Sequence, residues 1–145
     1  MTGTLRIAAA VILDDAGRLL VVRKSGTDAF MQPGGKLEPG ESAAECLARE
    51  LHEELAIVVS VSELEPVGRY IAAAANEAGW SVDCDVFRWS GFETPPEAAP
   101  QPAEIRVQAE LAEARWASAA DLDALAAEGR LAPLTRDNLT AFLGA

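Results

Sequence analysis

The chain has 145 residues, half of them hydrophobic, which is enough for one domain with a real core and too few for two. Its 12 Lys and Arg against 23 Asp and Glu leave a net charge of −11, which argues against a surface that binds a nucleic-acid polymer. Cys46, Cys84 and the single histidine His52 have neither zinc-ligand nor disulfide-framework spacing, and the thiols suit a reducing, cytoplasmic compartment.

In chain order, residues 4–13 and 18–24 are apolar runs rich in Val, Ile and Leu around the Asp15-Ala16-Gly17 turn, a pattern that predicts a hairpin. The first run is too short for a signal-peptide core or a membrane span, and a turn rather than a cleavage site follows it. Arg23 and Lys24 close the second run and are candidate phosphate contacts, with solvated strand-end charges as the plainer alternative. Gln32-Pro33-Gly34-Gly35 and Pro39-Gly40 read as turns, and Ser42 followed by Glu45 is a capping box that starts a helix over 42–55. Ile57–Val61, Val67–Ala74 and Trp80–Trp89 read as strands, the last by its polar and apolar alternation. Residues 93–103 hold too many prolines for regular structure. Glu110–Trp116 then reads as a strand, 119–128 as a helix, and Pro133 opens a last helix through Phe142. Strands with helices among and after them predict an α/β sandwich, one domain over 1–145.

The helix over 42–55 carries the chemistry. Leu47, Leu51 and Leu55, with Ala44 and Ala48, form an apolar stripe, while Glu50, Glu53 and Glu54 fall three and four apart on another face. Two carboxylates roughly 5 Å apart at an effective dielectric of about 20 repel by something near 3 kcal/mol. On a solvated helix such pairs splay and cost only tenths, so an acidic face alone proves nothing. The preceding glycines, the fixed helix start, and Arg49 set to hold Glu50 or Glu53 shift the balance toward a divalent-cation site.

The stretch Gly35 to Ile57 resembles the Nudix hydrolase signature GX5EX7REUXEEXGU. Gly35, Glu41, Arg49, Glu50, Leu51, Glu53, Glu54 and Ile57 stand at the required places, and Ala56 replaces the second glycine. Glycine past a helix takes a left-handed conformation that costs alanine roughly 1 kcal/mol, so Ala56 predicts a slightly different helix exit.

The resemblance implies an α/β/α sandwich with a mixed sheet and Mg²⁺-dependent hydrolysis of a nucleoside diphosphate linked to another group, with Mn²⁺ as substitute. It implies Glu50, Glu53 and Glu54 as metal ligands, the carbonyl of Gly34 as a further one, and Arg49 as their orienter. Glu41 would support the loop or reach a metal through water, Gly35 and Lys36 would meet substrate phosphate, and Glu50 would take the proton from water. A later glutamate, Glu110, is the candidate extra ligand or base, with Glu104 and Glu113 as rivals. Phe30, Tyr70, Trp80, Phe87, Trp89 and Phe92 are candidates to stack on a base. The proline and tyrosine marks of the ADP-ribose and dinucleoside-polyphosphate members are missing, which leaves the MutT-like nucleoside-triphosphate type. The expected partner is a small nucleotide, with no membrane, and a homodimer is compatible. A catalytically silent nucleotide-binding or sensing module is the competing class, but a pure binder has no need of the full glutamate set.

Overall fold

The computed structural model describes residues 3–93 and 105–143. Its strands are β1 (Thr4–Ile12), β2 (Leu19–Lys24), β3 (Phe30–Met31), β4 (Gly34–Lys36), β5 (Glu65–Ala73), β6 (Ser81–Trp89) and β7 (Leu111–Ala117). Its helices are α1 (Ala43–Leu55), α2 (Ala119–Ala127), α3 (Pro133–Asp137) and α4 (Leu139–Leu143).

A mixed sheet runs β4-β1-β6-β5, with β1 and β6 parallel and the other pairs antiparallel, beside an antiparallel sheet β3-β2-β7. The near-continuous apolar character of β1 and β2 follows from burial on both faces. Ala8, Ala10, Ile12, Leu20 and Val22 pack with Cys46, Leu47, Leu51 and Leu55 of α1. The alternate residues Ala9, Val11, Leu19 and Val21 pack with Leu122, Leu125, Leu134 and Phe142 of the later helices. Strands between helices on both sides make the expected α/β/α sandwich with a mixed sheet.

Five sequence expectations change, the last of them at the exit of α1. The first two strands form no hairpin ladder beyond a single Leu13–Leu19 bridge. β1 spends one edge on nine residue pairs with β6 and the other on β4, so β2 must find β3 and β7. Asp14 folds the turn between them, accepting from the Ala16 and Arg18 amides at 3.0 and 2.8 Å. Residues 57–61 form no strand: Ile57 is buried against α1, Val58 is exposed, and a 3₁₀ turn, Val61–Glu63, follows. The turn read at Gly34-Gly35 begins a strand pressed so close to β1 that a Cβ on Gly34 would lie 2.0 Å from the Ala8 carbonyl oxygen. The last helix divides at Asn138, whose side chain donates to the Leu134 carbonyl at 2.8 Å. The proline-rich stretch falls, from residue 94 on, outside the described residues.

α1 begins where the capping box places it, Ser42 and Glu45 bonding reciprocally at 3.1 and 2.9 Å. Its exit departs from expectation: Ala56 takes the left-handed conformation, φ 59° and ψ 25°, and its amide donates to the His52 carbonyl at 3.0 Å. Hydrogen bonding and burial of Ile57 hold alanine where glycine is favoured. Ala56→Gly therefore relieves about 1 kcal/mol of strain and raises Tm by roughly 3 °C, measured by thermal denaturation. An unchanged or lower Tm would refute strain at this position.

Candidate functional site

The apolar stripe of α1 is buried, which turns its carboxylates toward a cleft of about 370 Å³. Gly34, Gly35, Lys36, Glu50, Glu53, Glu54, Lys24 and Glu110 all line it. Gly35 has a steric reason to be glycine: a Cβ there would meet the Glu50 carboxyl carbon at 2.4 Å. The β4 backbone and the Glu50 carboxylate thus share a space that no side chain can enter.

Arg49 organises the carboxylates. Its Nε and Nη2 donate to Glu41 at 2.7 and 2.9 Å, its Nη1 donates to Glu50 at 2.8 Å and Glu53 at 3.3 Å, and its Nη2 also donates to the Lys36 carbonyl at 3.2 Å. The guanidinium fork matches Glu41 in a bidentate pair, and that pairing holds the Glu41 carboxyl down at about 2. Glu41 thus braces Arg49 at the edge of β4, away from the cleft lining.

Glu54 faces the opposite situation. It is only 8% exposed, and burial, then the charge and hydrogen bonding of Glu50, push its carboxyl up to about 8, with Lys24 pulling the other way and Glu110 adding a last small push. Among the described residues no three acidic, His or Cys side chains are already converged on one point as a chelate. The donor set nonetheless fits a hard divalent cation: all its donors are oxygens, and a half-buried cluster with surplus negative charge is what such an ion neutralises.

Segment 105–110 brings Glu110 across from α1. The Arg106 amide donates to the Leu55 carbonyl and the Gln108 amide to the Glu54 carbonyl, each at 3.0 Å. Glu113 stays outside the cleft lining, its Oε1 2.9 Å from Arg23 Nε. Arg23 is committed to that pair and to the Thr27 carbonyl at 2.8 Å, so of the two basic strand-end residues only Lys24 lines the cleft. Glu104 lies outside the described residues. His52 is exposed.

None of the candidate base-stacking aromatics lines the cleft. Phe30 is buried under Arg115, Tyr70 packs edge-on against Phe142, and Phe92 lies between Trp89 and Trp116. The cleft wall away from the glutamates is aliphatic instead, with Leu5, Ile7, Met31, Val82 and Leu134. Gln32 sits at its floor, donating to the Ala10 carbonyl at 3.0 Å and accepting from Thr135 at 3.1 Å. Asn76 and Glu77, from the β5–β6 loop, line the cleft as well. No local pattern marks these residues; distant strands and α3 bring them together.

The NUDIX domain model matches residues 3–137, and the chain belongs to that family. It is 43% identical over 47 residues to an RNA pyrophosphohydrolase of Legionella pneumophila (strain Corby), covering 32% of this chain and 27% of the relative. It is 34% identical over 64 residues to an 8-oxo-dGTP diphosphatase of Haemophilus influenzae, covering 41% and 47%. The alignments thus span less than half the length of either curated relative. A NUDIX hydrolase structure from Nitrosomonas europaea superposes with TM-score 0.71 at 24% identity, covering 97% of this chain and 89% of that one, which shows the shared fold. Among the described residues no helix is long and apolar enough to cross a membrane.

The Glu54 carboxyl sets a pH dependence for the metal-free protein. Below about 4.5 it is protonated in both folded and unfolded chains, and between there and about 8 only the folded chain keeps the proton, so stability falls as pH rises through that window. Glu54→Gln removes the penalty. Its Tm advantage over the parent, measured in chelator, grows from about pH 5 to about pH 8. An advantage that is flat or shrinking with pH would contradict burial of this charge.

Proposed function

We propose that this NUDIX family member is a nucleotide pyrophosphohydrolase that cleaves a phosphoanhydride in a nucleoside diphosphate linked to another group. The observation that carries this is the meeting in one cleft of Glu50, Glu53, Glu54 and Glu110 with Lys24, Lys36 and an aliphatic wall. A nucleotide is polyanionic at one end and uncharged at the other, where the flat faces of the base suit an aliphatic wall, and the cleft is divided in the same way. The names of the Legionella and Haemophilus relatives support the reaction class, and the latter supports a nucleoside-triphosphate type of substrate. The two buried, unpaired thiols are compatible with a cytoplasmic setting.

Glu50, Glu53 and Glu54 would hold Mg²⁺ or Mn²⁺, with the Gly34 carbonyl and Glu110 as further donors. The bound ion supplies charge neutralisation at the phosphate oxygens and a lower pKa for attacking water. Arg49 fixes Glu50 and Glu53 before substrate arrives, so little reorganisation is left for the reaction itself. Glu50, pressed against the Gly35 backbone, is the proposed base that takes the proton from water. Lys24 and Lys36 hold phosphate oxygens, which offsets the repulsion that a chain of charge −11 exerts on such a substrate.

A panel of dGTP, GTP, ATP, ADP-ribose, a nucleotide sugar and a dinucleoside polyphosphate, each assayed by chromatography for Mg²⁺-dependent conversion to its cleavage products, tests the proposal. Turnover of none of them would overturn it. Glu53→Gln lowers kcat by at least on the order of a hundredfold, with the fold intact because this side chain is largely exposed. In the parent, millimolar Mg²⁺ raises Tm by binding the folded state alone, and the increment shrinks in Glu53→Gln.

The two adjacent cations give a sharper comparison. Lys24→Ala raises KM several-fold with little change in Tm, whereas Arg23→Ala lowers Tm and leaves KM near the parent value, because its charge is already spent on Glu113. The reverse outcome would show Arg23 to be the phosphate contact.

A further inference from the structure

Segment 105–110 is tied to the C-terminal turn of α1 more thoroughly than a surface loop requires. A helix ends with carbonyls that have no partner inside it. Here the Leu55 and Glu54 carbonyls accept from the Arg106 and Gln108 amides, both at 3.0 Å, and the His52 carbonyl, already bonded to the Ala56 amide, accepts a second hydrogen bond from the Gln108 side-chain Nε2 at 2.9 Å. Gln108 therefore grips α1 twice, once by its backbone and once by its amide group. Ala109 follows in the left-handed conformation, φ 57°, which a non-glycine residue adopts only under constraint. The Leu111 amide closes the turn on the Gln108 carbonyl at 3.3 Å, and the Glu110 carbonyl accepts from the Ser25 amide at 2.8 Å. Glu110 thereby leaves this tight turn within the lining of the cleft.

We infer that Gln108 is a positioning residue: its side chain, bonded to the His52 carbonyl, locks the Ala109 turn and fixes Glu110 relative to the glutamates of α1. The His52 carbonyl belongs to the helical turn that carries Glu53 and Glu54, so one hydrogen bond links the frames of both carboxylate groups. Gln108 lies outside the cleft lining, so its effect passes through Glu110. The inference rests on the proposed role of Glu110 at the metal face.

The test uses Gln108→Leu, which keeps bulk and loses the donor, and Gln108→Glu, which keeps length and loses the donor. Losing one hydrogen bond that orients a reacting group lowers kcat by roughly tenfold, with KM within about twofold and Tm nearly unchanged for so exposed a side chain. In a Glu110→Gln background, adding Gln108→Leu lowers kcat no further. In the metal-free protein, amide hydrogen exchange across 105–111 speeds by a similar factor in both variants while α1 keeps its protection. Unchanged exchange, unchanged kcat, or an equal loss of kcat in the Glu110→Gln background would overturn the inference. If Glu110→Gln itself leaves kcat unaffected, the role proposed for Glu110 falls and this inference with it. If Glu110→Gln is crippling and the Gln108 variants are neutral, this inference alone falls.

Discussion

The guanidinium of Arg49 is the point on which the site depends. Like charges gather along one side of α1, and left alone they would splay into solvent and lose any common geometry. Arg49 prevents this by bonding Glu41, Glu50 and Glu53 at once and by reaching the β4 backbone through the Lys36 carbonyl. Lysine, with one point charge and no planar fork, could not serve so many partners in fixed directions. Because Glu41 is held ionised far below neutral pH, the brace keeps its charge wherever a phosphate-handling enzyme works.

This electrostatic arrangement is useful only because α1 cannot roll. Leu47, Leu51 and Leu55 are fully buried, and truncating any one of them to alanine would cost about 2–5 kcal/mol. That penalty far exceeds the tenths of a kcal/mol by which an exposed ion pair steers a helix. The apolar stripe thus decides where the helix sits, and Arg49 decides how the carboxylates are arranged once it is there. Two glycines let the opposing strand close on both: Gly34 meets β1 backbone to backbone, and Gly35 leaves room for the Glu50 carboxylate.

Glu54 is a cost that the fold carries at the cleft. A carboxyl 8% exposed and pushed up to about 8 opposes stability at neutral pH, and a structural helix would replace it with an apolar residue. Two alanines in left-handed conformation, Ala56 at the end of α1 and Ala109 beside Glu110, lie in the same corner, joined through the hydrogen bonds of Gln108. Strain and buried charge are thus gathered around one cleft, while β1 behind it pairs without interruption along β6.

The sequence by itself determined α1 in almost every respect. Its start follows from the Ser42–Glu45 box, its buried and acidic faces from a 3.6-residue period, and the bonding of Arg49 to Glu50 and Glu53 from their closeness along the chain, because all of these are local relations within one helix. The sandwich class was legible for a similar reason, since Ile7–Ile12 of β1 and Leu19–Val22 of β2 are unbroken apolar runs, as strand segments covered on both sides are. Only the tertiary structure decided which edges pair. β1 and β2 look like a hairpin because turn chemistry is local, but β1 has its edges filled by β6, nearly eighty residues away, and by β4. The same limit applies at the site. Whether Arg23 or Lys24 faces the cleft, and how Glu110 reaches it, depends on contacts with Glu113 and with the carbonyls at the end of α1 that no spacing in the sequence records. Local hydrogen bonds and side-chain periodicity are carried by neighbours along the chain, whereas strand order and the meeting of distant charges are settled by long-range packing.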